Sequence, residues 1–228
     1  MLVDFHTHQT TPDAKVRKLS NISLSRKIIE AIDQFEFKPE LIYSAGIHPW
    51  DIEPEFLHES YDWLEIFLKN PQVKVLGECG LDKINGPDFK IQEEVFVKQI
   101  RIAEHFRKPL VIHCVRSFNE LLAIKKLINP KVPMVIHGFN KNAETATMMI
   151  EKGFLLSFGY ELIMNDKLQQ VFAGLSLDKV LFETDNMPDL KVYDVYKKAA
   201  EIKKIPVEQL TEIIYQNSIA CSCSHIDK

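Results

Sequence analysis

Short runs of apolar residues alternate along the whole chain with stretches in which apolar residues recur every three or four positions. An uninterrupted apolar run of about five residues is typical of a parallel strand covered on both faces. Seven such runs predict strands at Leu2–Phe5, Leu41–Ala45, Val73–Gly77, Leu110–Ile112, Pro133–Ile136, Phe154–Phe158 and Val180–Phe182. An eighth strand is predicted at Val16–Ile22, where charged residues interrupt the apolar ones and no proper helix separates it from the first strand.

The stretches between these runs have the spacing of amphipathic helices. The predicted apolar faces are Leu24, Ile28, Ile32 and Phe35; Leu57, Tyr61, Leu64 and Leu68; Ile91, Val95, Ile100, Ile102 and Phe106; and Phe118, Leu121, Leu122 and Ile128. Further helices are predicted over Ala143–Lys152, Leu162–Ala173, Tyr193–Lys203 and Val207–Ser218.

Strand and helix alternating about eight times predict a slightly reduced (β/α)8 TIM barrel of the α/β class. An open doubly wound sheet is the structural alternative, but no Gly-x-Gly-x-x-Gly follows a predicted strand. Because no long linker or break in composition divides the chain, we expect residues 1–228 to form a single barrel domain.

Composition and charge narrow the class of protein. With 46% hydrophobic and 26% charged residues, the chain can bury a sizeable core. The net charge of −4 gives no broad basic surface, so a nucleic-acid partner would have to be held locally, at a cleft or a metal. No membrane span or signal peptide is indicated, and Cys79 and Cys114 lie in or next to predicted strands. We therefore expect a cytoplasmic protein with reduced thiols and infer no obligate protein partner.

Side chains that can bind metals follow the predicted strands. His6 and His8 come at the end of the first strand, where residues i and i+2 project from the same face. The later strands are followed by His48, Glu78, His113, His137, Glu183 and Asp185. Because a barrel places its active site at the carboxyl ends of its strands, five of the eight histidines fall at the same end. This clustering predicts a metal centre.

The types of ligand narrow the metal and the reaction. Four imidazoles and two carboxylates, with no obligatory thiolate, suit Zn²⁺, Mn²⁺, Fe²⁺ or Co²⁺, and Mg²⁺ could use the carboxylates. Six protein ligands are more than one tetrahedral ion takes, so two divalent ions bridged by a carboxylate are the natural arrangement. Such a pair stabilises both the attacking and the departing oxygen of a displacement, which favours hydrolysis.

The motifs at the strand ends resemble, in order, those of the TatD family of metal-dependent hydrolases, which belongs to the amidohydrolase-like barrels. The resemblance runs from residue 2 to about 221, where Gln216-Asn217-Ser218 looks like the C-terminal Asn motif of the family. It rests on Asp4-Phe5-His6-Thr7-His8, Gly46-Ile47-His48-Pro49, Gly77-Glu78-Cys79-Gly80-Leu81-Asp82, Ile112-His113, His137-Gly138-Phe139 and Glu183-Thr184-Asp185.

The resemblance implies a role for each matching residue. One metal would be held by His6, His8, Glu78 and Asp185, and Glu78 would bridge to a second metal held by His113 and His137. Asp185 would also be the catalytic base that takes a proton from the attacking water and later returns it to the leaving group.

The resemblance also implies how substrate is bound and which bond is cleaved. His48 resembles a family position near the substrate phosphate, although it could instead brace the Pro49-Trp50 turn. Arg116 lies three residues after His113, one further than in the usual His-x-Arg of the family, and is either a phosphate ligand or a surface residue. TatD proteins are commonly described as deoxyribonucleases, so the resemblance implies phosphodiester hydrolysis, with DNA ends as a candidate substrate.

The chain departs from the family pattern in the segments expected to bind substrate. Lys83-Ile84 replaces a common aromatic pair, the segment after His8 is short, and Asp185 is followed almost directly by a helix. These departures argue against a long polynucleotide as the substrate more strongly than they argue against hydrolysis as the reaction. Two alternatives stay open: hydrolysis of another ester or an amide, such as an aminoacyl-tRNA ester, and metal or partner binding without catalysis. Glu183 is expected to be structural.

Overall fold

One sheet of eight strands organises the fold in the computed structural model, which describes residues 1–223. The order of the strands in the sheet follows their order in the chain. The strands are β1 (Leu2–Thr7), β2 (Val16–Ser23), β3 (Ile42–Gly46), β4 (Val73–Asp82), β5 (Leu110–Val115), β6 (Met134–Ile136), β7 (Phe154–Phe158) and β8 (Val180–Phe182). Parallel strands that are neighbours in the chain need a return connection between them, usually a helix.

Helices supply most of these connections. They are α1 (Arg26–Glu30), α2 (Leu57–Lys69), α3 (Phe89–Phe106), α4 (Phe118–Ile128), α5 (Ala143–Glu151), α6 (Tyr160–Met164), α7 (Asp166–Gly174), α8 (Val192–Lys203) and α9 (Val207–Cys223). Short 3₁₀ helices span Ile32–Gln34, Pro49–Asp51, Pro54–Phe56 and Leu177–Lys179.

The first strand of the sheet, β1, lies beside the end of the last strand, β8. Asp185, just after β8, forms a parallel bridge with Thr7, and its amide donates to the carbonyl of His6 at 2.9 Å. Parallel strands in chain order, helices between them and contact between β1 and β8 define a (β/α)8 barrel. The predicted fold class is therefore confirmed.

The connection between β1 and β2 contains no helix, as the sequence predicts. Leu2 pairs with Val16 and Thr7 with Ser20, so residues 8–15 return over the length of β1, roughly 20 Å. Eight residues span at most about 29 Å, so an extended connection suffices and leaves no residues for a helix.

β1 runs two residues further than predicted, to Thr7, so His6 lies within it, and two later strands extend by three residues or more. β4 continues past Gly77 to Asp82, and β5 continues past Ile112 to Val115, so Glu78 and His113 lie within strands rather than after them. The ladder between β4 and β5 supplies the reason, because it pairs the two strands beyond the point where their apolar runs end.

Two of the predicted helices also differ from those in the structure. The stretch over Leu162–Ala173 forms α6 and α7, because Asn165 accepts hydrogen bonds from the amides of Lys167 and Leu168 and thereby caps a new helix. The first predicted helix is reduced to α1 and the 3₁₀ turn Ile32–Gln34.

The chain falls into two compact units, of which the first comprises residues 1–20 and 135–223 in the described part of the chain. A row of buried aromatic rings, with centroids 4.8 to 6.0 Å apart, runs through its core: Phe139, Phe158, Phe172, Phe182 and Tyr196. The Tyr196 hydroxyl accepts from the amide of Val3 and donates to its carbonyl, both at 3.1 Å. This pair of bonds attaches α8 to β1.

The second unit comprises residues 21–134, and in it buried amide side chains of α3 hold the backbone at the ends of β3 and β4. Gln99 accepts from the amide of Ile47 at 2.8 Å and donates to its carbonyl at 3.0 Å. Gln92 makes the same pair of bonds with Asp82, at 2.8 and 3.0 Å. The two glutamines lie seven residues apart, on one face of α3.

None of the helices within residues 1–223 combines the length and the apolar character that crossing a membrane requires.

Replacing Gln99 with alanine should lower the free energy of unfolding by about 2 to 6 kcal/mol. The change leaves the amide and carbonyl of Ile47 buried without their partner, and each such group costs ~1–3 kcal/mol. The shift in urea midpoint at unchanged m-value measures this effect. Gln216→Ala, which removes only an exposed bond to Glu212, is the matched control and should change stability by less than about 0.5 kcal/mol. Equal effects of the two variants would contradict the role assigned to Gln99.

Candidate metal centre

His6 and His8 converge on the carboxylate of Asp185, which forms the first candidate group. The Nε2 atoms of both histidines lie 3.6 Å from Asp185 Oδ1. The three ligand atoms all lie within 4.8 Å of one another. The His6 side chain is fully buried, whereas those of His8 and Asp185 are 39% and 43% exposed, so solvent reaches one side of the group.

The backbone of β1 places the Asp185 carboxylate. Its amide donates to the carbonyl of His6 at 2.9 Å, and its carbonyl accepts from the amide of His8 at 3.1 Å. Asp185 has a φ of 48°, a left-handed conformation that costs a non-glycine residue roughly 1 kcal/mol or more. The two hydrogen bonds hold the residue in this conformation.

A buried clasp between Asp4 and Thr184 fixes the chain just before Asp185. The two oxygens of Asp4 accept from the amide of Thr184 at 2.9 Å and from its hydroxyl at 2.8 Å. Burial raises the pKa of Asp4 to about 7, against the lowering effect of these hydrogen bonds. The clasp therefore ties the residue before the Asp185 carboxylate to the strand that carries His6.

His137 belongs to the same unit and packs on His6, with the ring centroids 4.5 Å apart. Glu183 Oε1 accepts from the amide of Gly138 at 2.7 Å and lies 3.6 Å from Nδ1 of His137. Glu183 thus holds the His137–Gly138 turn, which agrees with the structural role predicted for it.

His48, Glu78 and His113 form the second candidate group. Oε1 of Glu78 lies 3.1 Å from Nε2 of His48 and 2.9 Å from Nδ1 of His113. Nδ1 of His48 accepts from the amide of Trp50 at 3.1 Å, so Nε2 is the nitrogen directed at Glu78. His48 therefore braces the Trp50 turn and also contacts a predicted metal ligand.

Gly80 permits the approach of the two strands that carry Glu78 and His113. It pairs with His113 across the ladder, at a φ of 142°. A Cβ atom at this position would lie 2.1 Å from the carbonyl oxygen of His113, so a larger residue would force the strands apart.

Asp82 is a site residue whose role was not predicted from the sequence. Its Oδ2 lies 3.1 Å from Nε2 of His113 and accepts from the indole of Trp50 at 2.7 Å. Burial would raise the pKa of Asp82, but hydrogen bonds from the amide of Ile84, from Trp50 and from others outweigh it, so the pKa lies below its usual value. The available signal was its position four residues after Glu78, which puts both on one face of β4.

Asn21 is a second residue of the site that no sequence pattern pointed to. Its Oδ1 accepts from the amide of Glu78 at 2.9 Å and from the hydroxyl of Ser44 at 3.0 Å. It therefore positions the backbone of Glu78 from the end of β2.

Arg116 is exposed just after β5, with a left-handed φ of 52°. It forms no ion pair with any residue in the described part of the chain. Its predicted contact with phosphate stays a prediction.

The donor sets of both groups fit a divalent metal ion. Each offers imidazole nitrogens and a carboxylate within 4.8 Å, the combination preferred by Zn²⁺, Mn²⁺, Fe²⁺ or Co²⁺. No thiolate is involved, since the Cys79 thiol is directed to the carbonyl of Val111 and burial raises its pKa. Of the six predicted ligands, the first unit holds His6, His8, His137 and Asp185, and the second holds Glu78 and His113.

Known proteins share this sequence pattern. The profile of the family described as "TatD related DNase" matches residues 4–221. YcfH of Escherichia coli K12, described as an uncharacterized metal-dependent hydrolase, is 30% identical over 199 residues, which cover 79% of this chain and 73% of YcfH. YabD of Bacillus subtilis, with the same description, is 28% identical over 226 residues, which cover 90% of this chain and 86% of YabD.

Solved structures share the fold. YjjV, a TatD homologue from Escherichia coli K12, superposes with a TM-score of 0.80 at 19% identity and covers 97% of both chains. A TatD family hydrolase from Entamoeba histolytica superposes with a TM-score of 0.76 at 15% identity, over 97% of this chain and 98% of its own. These likenesses support the barrel.

Asp82→Asn should weaken binding of Zn²⁺ by about 10- to 100-fold, because it removes the carboxylate that orients His113. Isothermal titration of the metal-free protein measures the affinity. Asp62→Asn is the matched control, since Asp62 pairs with the exposed His58 at 3.2 Å, and it should leave metal affinity unchanged. An Asp82 variant with the affinity of the unaltered protein would refute the orienting role.

Proposed function

Because this chain belongs to the TatD family of metal-dependent hydrolases, we propose that it hydrolyses phosphodiester bonds, with DNA ends as a candidate substrate. One observation carries the proposal. Asp185 presents a half-exposed carboxylate 3.6 Å from two histidine nitrogens, which is the arrangement of a metal ligand that also reaches substrate.

Asp185 is the proposed general base. Its Oδ1 faces His6 and His8, while 43% of its side chain is open to solvent. It takes a proton from the attacking water and returns it to the oxygen that leaves, so the reaction consumes one water and leaves the base unchanged. The hydrogen bonds to β1 and the clasp on Thr184 hold the carboxylate in place for both transfers.

We propose that the protein binds two divalent metal ions, and that the metal is Zn²⁺, Mn²⁺, Mg²⁺, Fe²⁺ or Co²⁺. Their proposed ligands are His6, His8, Glu78, His113, His137 and Asp185. When bound, the ions supply charge stabilisation to the phosphoryl group and to the attacking and departing oxygens. The protein contributes the orientation of the donors, because Asp82 fixes His113 and Glu183 holds the turn of His137.

Glu78 is the second proposed catalytic residue. Its carboxylate lies within hydrogen-bond distance of both His48 and His113, and the side chain is 5% exposed. Glu78 therefore acts as a fixed anion rather than as a base in contact with solvent. His48 and Arg116 are the proposed contacts to the substrate phosphate. His48 is held by Glu78 and Trp50, whereas Arg116 is exposed, so its guanidinium is open to an anion.

Asp185→Asn should lower kcat by about 10²- to 10⁴-fold, because the amide cannot accept the proton, while most of the metal stays bound through the histidines. Steady-state hydrolysis of a phosphodiester together with metal analysis of the same preparation measures both effects. Asp189→Asn, an exposed carboxylate in the loop that follows, is the control and should retain full activity. A metal-loaded Asp185→Asn enzyme with near-normal kcat would show that the base is another residue.

A panel of substrates under one metal condition should identify the bond. We expect turnover of single-stranded DNA or short phosphodiesters, and slower or no turnover of an aminoacyl ester. RNA and a simple phosphodiester complete the panel and separate sugar recognition from phosphate recognition. Inactivity on every phosphodiester, with turnover of the aminoacyl ester, would replace the proposal by the ester hydrolase alternative.

A further inference from the structure

We propose that Trp50 is a fixed aromatic platform for the substrate and that the nucleobase next to the cleaved phosphodiester stacks on it. The inference rests on the proposed phosphodiesterase function and adds a residue that selects the substrate. Trp50 is 55% exposed, whereas most large hydrophobic side chains in the described part of the chain are buried. Its ring lies directly beside the second candidate group.

One hydrogen bond anchors the indole of Trp50, and a second anchors its backbone. Its indole nitrogen donates to Asp82 Oδ2 at 2.7 Å, and its amide donates to Nδ1 of His48 at 3.1 Å. The Asp82 side chain is fully buried, so the anchor is a charged acceptor that has no competing water. An aromatic side chain held in this way is exposed without being free to turn.

The loops around Trp50 are held as well. Gly86 packs on the carbonyl of Pro49 so closely that a Cβ atom would lie 2.7 Å from it. Gln92 donates to the carbonyls of Asp82, Asn85 and Pro87 at 3.0 to 3.1 Å. A rigid aromatic surface loses little conformational entropy when a ring stacks on it, so more of the stacking energy appears as affinity.

The position of the platform suits the proposed reaction. The Trp50 ring centroid lies 4.9 Å from that of His48 and 5.6 Å from that of His113, in edge-to-face contacts. A base stacked on the exposed surface of Trp50 therefore brings its own phosphate next to these imidazoles.

A nucleobase is the planar group that the rest of the chain favours. The net charge of −4 supplies no overall attraction to phosphates, so recognition needs a contact that does not depend on charge. Stacking on an aromatic side chain is such a contact, and every base offers a π-face to it.

The fluorescence of Trp50 can be observed by itself once Trp63 on α2 is replaced, because the sequence contains only these two tryptophans. In the metal-loaded Trp63→Phe protein, thymidine 5′-phosphate should quench the fluorescence of Trp50 in a saturable way. Deoxyribose 5-phosphate at the same concentrations should leave it unchanged. Equal quenching by the two ligands would overturn the proposal.

Two variants separate stacking from the anchor. Trp50→Leu should weaken binding of thymidine 5′-phosphate by about 5- to 150-fold in isothermal titration, with binding of deoxyribose 5-phosphate unchanged. Trp50→Phe keeps an aromatic ring but loses the bond to Asp82, and its affinity should lie between those of Trp50→Leu and the unaltered protein. Equal losses in both variants would place the effect in the bond to Asp82 and overturn the platform.

Kinetics on a thymidine dinucleotide and on an abasic dinucleotide separate this inference from the proposed function. The unaltered protein should show a lower KM for the dinucleotide with bases, and Trp50→Leu should remove that preference while it still cleaves the abasic substrate. Cleavage of both substrates with no preference in the unaltered protein overturns the platform alone. Absence of cleavage overturns the phosphodiesterase proposal, and the fluorescence result then decides the role of Trp50 by itself.

Discussion

Carboxylates buried beside imidazoles are the interaction on which the rest of the structure depends. The side chains of Glu78, Asp82 and Glu183 are at most 5% exposed, and each lies next to a histidine ring. A buried carboxylate is costly unless it is paired and hydrogen-bonded. The strands must therefore hold these side chains at contact distance, and this requirement also assembles donors of the kind that divalent ions bind.

Polar side chains that bond to the backbone keep these donors in place. Gln99 holds the segment before His48, Asn21 holds the amide of Glu78, and Asp4 holds the residue before Asp185. Each satisfies backbone groups that would otherwise be buried without a partner. The same bonds that remove this penalty fix the direction of the site residues, so stability and function depend on shared contacts.

Short connections shape the surface around the candidate groups. The eight-residue link after β1 and the brief segment between Asp185 and α8 leave His8 and Asp185 half-exposed. Under the proposed function, a few fixed residues recognise the substrate, and the exposed Trp50 is one of them. The substrate that follows from the two proposals is a few nucleotides long, with one stacked base and one phosphate as its main contacts.

The sequence by itself determined the eight strands, the fold class and the convergence of His6 and His8, because the period of apolar residues and the alternation of side chains in a strand are local properties. Only the tertiary structure decided that β4 extends to Asp82, that this carboxylate orients His113 and that Trp50 is anchored at its edge. Those contacts depend on the register between strands and on loop packing, which join residues more than 30 positions apart in the chain. No local pattern encodes such pairings, so the sequence supplied the candidate ligands and the fold selected their partners.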